Sequence, residues 1–138
     1  MPTIDFPVVR RYLGTPPDAE PIVAVKLSRI DKPERYIRTL ALVDSGADHC
    51  LFQRDFGERL GLELDDLPLV EGQTAGGPIE VPVCRLRVEI LHQVFECLVG
   101  FLDEKRLPNN LLGRQGIFDQ IQLAFRESRL EFYFRWEP

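Results

Sequence analysis

Little in this chain points towards nucleic acid, membrane or metal. Basic residues do not predominate: 17 Lys and Arg stand against 22 Asp and Glu in 138 residues, a net charge of −5. No basic cluster interleaved with aromatics occurs, which argues against a nucleic-acid-binding surface. Long apolar runs are missing, and no charged-then-apolar leader opens the chain, so neither a membrane span nor a secretory signal is expected. Cysteine is scarce. Cys50, Cys84 and Cys97 are an odd number without CxxC spacing, which excludes a disulfide framework and a zinc site and suits a reducing, cytoplasmic setting. No metal and no cofactor are therefore expected. No internal repeat is evident, and the length fits one domain that buries about two thirds of its unfolded surface.

What the chain does have is a run of apolar residues driving into an acidic turn. Leu40, Ala41, Leu42 and Val43 lead into Asp44-Ser45-Gly46-Ala47-Asp48-His49, and Cys50, Leu51 and Phe52 follow. Four consecutive apolar residues predict a strand buried on both faces. A carboxylate at the tip of such a strand is costly to hide unless it is hydrogen-bonded or shared. Ser45 and Gly46 are turn formers, and Gly46 lets another backbone approach closely. The stretch thus presents one acid in a tight turn beside apolar surface, an arrangement suited to catalysis. Asp-Ser-Gly is also ordinary hairpin chemistry, and alone it supports a plain turn as well. A calcium loop fits badly: His49 stands where Gly is needed, Gly46 has no ligand side chain, and Asp55 replaces the closing Glu.

Along the chain, Pro2, Pro7, Pro16, Pro17 and Pro21 forbid a long helix over residues 1–20 and predict an extended arm, with 6–9 as a possible edge strand. Residues 22–27 and 36–43 read as a hairpin about the polar turn 31–34, its second arm delivering Asp44. Residues 53–60 carry Phe56 and Leu60 at helical spacing, with Gly61 placed to end a short helix. Residues 69–83 are two extended arms around the small residues Ala75, Gly76 and Gly77; no Gly-Lys-Ser/Thr follows, so a Walker-type phosphate loop is not expected. Residues 84–90 alternate, His92 falls in a solvated turn, and 94–102 is a further strand. Leu111 and Leu112 begin a buried strand that passes Gly113 and Arg114 into a second short helix with Ile117, Phe118 and Ile121 on one face. A closing hairpin over 122–136 places Leu130, Phe132, Phe134 and Trp136 on one side, as core or interface. The expected fold class is all-β with two short helices.

Three separated pieces resemble one family. Residues 42–48, Leu-Val-Asp-Ser-Gly-Ala-Asp, are similar to the active-site turn of retropepsin-like aspartic proteases, the group that includes the retroviral proteases. Leu111-Leu112-Gly113-Arg114 resembles that family's second signature, and residues 70–83 fall where it carries its flap. The likeness runs in order over about residues 21–125. It implies a single-lobed acid-protease fold over residues 21–138, active as a symmetric homodimer on protein or peptide substrates. Asp44 would be the catalytic carboxylate, and Ser45 would hydrogen-bond across the subunit boundary. Gly46 would admit substrate and partner backbone, and Asp48 would lie beside the cleft. Ala75, Gly76 and Gly77 would cover the substrate at the flap tip. Pro78 departs from the family pattern and stiffens one flap arm. Arg114, with Gly113 a structural residue, would form a buried ion pair with Asp48.

Aspartic protease chemistry needs two carboxylates around one water, and this chain has a single Asp-Ser-Gly. The second acid is expected from a second copy of Asp44 across a two-fold axis, which an isologous dimer supplies by symmetry. A non-catalytic peptide-binding or dimerisation module on the same fold is the alternative. A cysteine hydrolase built on Cys50 and His49 is disfavoured, because neighbours in a strand point to opposite faces.

Overall fold

The computed structural model describes residues 6–74 and 76–136. Its strands are β1 (Val8–Arg11), β2 (Ile22–Arg29), β3 (Tyr36–Val43), β4 (Cys50–Gln53), β5 (Leu69–Thr74), β6 (Gly77–Ile90), β7 (Gln93–Leu102), β8 (Leu111–Leu112), β9 (Ile121–Arg126) and β10 (Glu131–Trp136). Among the described residues there is one α-helix, α1 (Arg54–Arg59). The protein is mostly β-sheet.

Period-two alternation builds these strands. In β2, Val23, Val25 and Leu27 are buried while Ala24 is exposed. β2 and β3 form the expected hairpin, with Ile22 opposite Leu42 and Leu27 opposite Ile37. The main sheet runs β2-β3-β8-β4-β7-β6-β5, and residues 26–29 of β2 also pair with β6, so the sheet closes on itself. The long strand β6 serves two structures. Its first part pairs with β5 as a hairpin that leaves the main body, and its second part, from Val83 on, pairs with β7.

A second, three-stranded sheet has the order β1-β10-β9. Val8 pairs with Phe134 and Arg10 with Phe132, so residues 8–11 of the proline-rich segment are tied to the last strand. Phe132 and Phe134 are fully buried, and Trp136 stacks on Phe134 at 6.1 Å. In this chain the closing strand therefore belongs to the core.

Two expectations are corrected. β3 is not buried on both faces: Ala41 and Val43 point into the core, but Leu40 is 50% exposed. One face of the strand packs on the core, and its other face, which carries Leu40, is open among the described residues. The second helix is reduced to one 3-10 turn at Phe118–Gln120. The N–H groups of Phe118 and Asp119 reach back five residues, to the carbonyls of Gly113 and Arg114, which gives a wide turn in place of a regular helix. Gly116, at φ +100 and tight against Cys97, opens that turn. By contrast α1 ends as expected. Gly61 sits at φ +82, its N–H donates to Glu58 O and that of Leu62 to Gly57 O, the paired bonds of a Schellman cap.

Candidate active site

Asp44 follows the last residue of β3 and is held from below. Its N–H donates to Leu112 O at 3.1 Å, one step past the parallel pairing of Val43 with Leu112. Its own carboxylate shapes the turn: Oδ1 accepts from the Gly46 N–H at 2.9 Å, and Asp44 O accepts from the Ala47 N–H at 3.1 Å. This Asx-type turn fixes the carboxylate direction without burying it, since Asp44 is only half-buried. Ser45 and Gly46 are exposed at the tip.

The far side of the turn rests on residues 113–115. The Arg114 N–H donates to Ala47 O at 2.8 Å and the Gln115 N–H to Asp48 O at 2.9 Å. Gly113 lies directly beneath. A Cβ there would overlap the His49 carbonyl oxygen and stand 2.6 Å from His49 C and 2.9 Å from Ala47 O. Closeness of backbone is what demands glycine at this position. Arg114 does approach Asp48, at 3.8 Å, but the two side chains are 67% and 73% exposed. The expected buried ion pair is thus corrected to an exposed one, because both residues lie on the outer rim of the turn.

A cleft of about 410 Å³ opens in front of Asp44. Its rim on the turn side is Gly46, Ala47, Asp48 and His49. Its floor is a separate apolar cluster in which Val81, Val83, Leu102 and Leu107 are buried and Leu51, Ile79 and Leu111 pack against them. The β5–β6 hairpin forms the opposite wall through Val70, Glu71, Gly72, Gln73 and Ile79. An apolar trough with a few polar groups at one end is the usual form of a binding site.

The structure brings together Asp44, Gly46 and Asp48 at this cleft, with Ser45, Gly113 and Arg114 in the supporting turn. It does not bring in the hairpin tip. Gly76 is exposed, Gly77 turns the chain at φ +109, neither lines the cleft, and Ala75 lies outside the described residues. Sequence reasoning missed the apolar floor and the wall residues of β5. The alternation of Ile79, Val81 and Val83 was the available signal, and only the pairing of β6 with β7 shows that this face meets Gly100 and Leu102. Asn110, expected in a loop, is buried and bonds to both β3 and β4.

Cys50 and His49 do not form a nucleophile–base pair, for Cys50 is wholly buried while His49 faces the cleft. A hydrogen bond with Cys50, and then burial, push the neighbouring Cys97 thiol up, while the same hydrogen bond moves Cys50 down; Cys50 remains shut away from the cleft. Among the described residues no group of three or more His, Cys, Asp or Glu side chains is arranged to hold a metal.

A family model described as aspartyl protease matches residues 35–115, a segment that begins just before β3, takes in the Asp44 turn and ends just beyond Arg114. The chain belongs to this aspartyl protease family, of the retropepsin-like clan. No curated protein matches the chain at a significant level. Membership in the aspartyl proteases supports a protease-type hydrolase acting on protein or peptide substrates. Among the described residues no helix is long and apolar enough to cross a membrane.

Proposed function

We propose that the protein is an aspartic endopeptidase that works as a symmetric homodimer, each subunit contributing one Asp44. The observation that carries this reading is the position of Asp44 at the mouth of an apolar cleft, in a turn whose Gly46 N–H orients its carboxylate. Two such carboxylates brought close together cannot both be charged, the behaviour known for this enzyme class, so the pair shares one proton. The ionised member takes a proton from the bridging water as its oxygen attacks the scissile carbonyl carbon. The protonated member donates to the carbonyl oxygen, giving a tetrahedral diol. Collapse of the diol with proton transfer to the amide nitrogen breaks the C–N bond.

Ser45, exposed beside Asp44, would face the partner's turn and lock the two together. Gly46 and Asp48 would contact substrate main chain, and the 70–83 hairpin, with Ala75, Gly76 and Gly77 at its tip, would close over it as a flap within a protease domain of residues 21–138. Gly113 and Arg114 would keep the turn in register. The three free thiols fit a cytoplasmic, reducing setting.

The test is cleavage of a mixed peptide library by wild type and by Asp44→Asn. The expected result is loss of all cleavage in the variant with its melting temperature and sedimentation unchanged, since the substitution is isosteric. Equal cleavage by the two proteins would assign the chemistry to another group.

A further inference from the structure

A second groove, about 370 Å³ and sharing no lining residue with the Asp44 cleft, lies where β1 passes the start of β2. Arg10, Arg11, Lys26 and Arg38 line it, with Glu89 as its one carboxylate. None of the four cations makes an ion pair among the described residues. Lys26 and Arg38 are directly opposite on paired strands, a like-charge juxtaposition that costs stability. The Tyr36 ring beside them, 4.4 Å from Lys26 Nζ and 5.6 Å from the Arg38 guanidinium, offsets part of that cost but leaves the charge in place. Such a concentration of positive charge on a chain of net charge −5 is a local feature with a sign of its own.

The same groove exposes a strand edge. The Val43 N–H donates to Pro21 O, and Val23 and Val25 pair with Ala41 and Thr39, so the odd-numbered residues of β2 turn their backbone groups towards β3. Ile22 and Ala24 turn theirs the other way. On that side β6 pairs with β2 only from Lys26 onward, because its chain leaves at the Leu91–His92 turn, where both residues have positive φ. Among the described residues no strand pairs with residues 22–25 on this edge. Ile22 and Ala24 also provide a small apolar floor between the cations.

We infer that this groove binds an extended acidic peptide segment of a partner protein, which adds a strand to the open edge of β2 while its carboxylates meet Arg10, Arg11, Lys26 and Arg38. Main-chain hydrogen bonds supply the affinity in this mode of recognition, and alternate side chains supply the selectivity. A nucleic acid or other polyanion would use the charge but not the backbone edge or the apolar floor.

The probe is a fluorescein-labelled octapeptide of alternating Glu and Val, titrated into the 138-residue chain and followed by anisotropy, with a Lys–Val octapeptide and an oligothymidylate as comparisons. The Glu–Val peptide should bind and the Lys–Val peptide should not. Affinity should fall with added salt and by roughly tenfold or more in Arg10→Glu/Arg38→Glu, whose two positions are exposed. Amide exchange at Ala24, read by NMR, should slow when the peptide binds. Absence of binding, binding untouched by the double charge reversal, or an unchanged Ala24 amide would overturn the proposal. Tighter binding of the oligothymidylate than of the peptide would overturn it in favour of a polyanion surface.

Discussion

A methyl group at position 113 has nowhere to go, since the backbone of His49 and Ala47 already fills the space. Backbone gives way less readily than a flexible side chain, so Gly113→Ala should cost about 1–3 kcal/mol and shift the catalytic turn. Arg114→Ala removes only an exposed 3.8 Å pair and should cost less than about 1 kcal/mol. Urea denaturation of the two variants checks this, and a larger loss in Arg114→Ala than in Gly113→Ala would contradict it. At the other end of the molecule, Tyr12 is buried and donates to Glu127 at 2.5 Å. Burial first, and then the Glu127 hydrogen bond, push its phenol from 10.0 up to about 12. A raised phenol pKa favours the protonated, folded form, so this contribution is intact below the unfolded value of 10.0 and is lost as pH rises through about 12. Tyr12→Phe should flatten the decline of stability over that alkaline window. An equally steep decline in the variant would assign it to other groups.

At the scale of elements, β8 lies between β3 and β4 and pairs with both, and the buried Asn110 just before it ties the same two strands together. Asn110 Oδ1 accepts from the Gln53 N–H at 2.9 Å, its Nδ2 donates to Leu40 O at 3.0 Å, and its carbonyl accepts from the Leu42 N–H at 2.8 Å. Asn110→Ala orphans two of these backbone groups and should cost about 2–3 kcal/mol, measurable as a fall in urea midpoint. A midpoint within error of wild type would show that water replaces the side chain. Asn110 also marks the limit of sequence reading. The β2–β3 hairpin, the 69–83 hairpin and the Phe132–Phe134 face were legible because alternation is a local property of consecutive residues. So was the turn at Asp44, where Ser45 and Gly46 carry their own backbone preferences. The contacts that hold the turn were not, for Gly113 and Asn110 act on residues some sixty positions away. The exposure of Leu40 escaped for the same reason: an apolar run does not say whether another layer covers its second face. Over 117–121, apolar spacing suited a helix, but Gly116 against Cys97 and the start of β9 at Ile121 left room for one turn.

For the whole molecule, one chain carries one cleft, lined by the turn following β3 on one side and the β5–β6 hairpin on the other, and one Asp-Ser-Gly acid, Asp44. The last strand is already committed to the core by Phe132 and Phe134, and both of its edges are taken by β1 and β9. In the proposed dimer, contact would then centre on the exposed tip at Ser45 and Gly46, which places the two acids next to the axis. Mixing wild type with Asp44→Asn at constant total protein, under conditions where subunits exchange, tests this sharing of acids most directly. Cleavage is expected to fall with the square of the wild-type fraction, because a mixed pair holds only one of its two carboxylates. A fall in simple proportion to the wild-type fraction would mean that each chain works with its own residues alone, and would contradict the shared site.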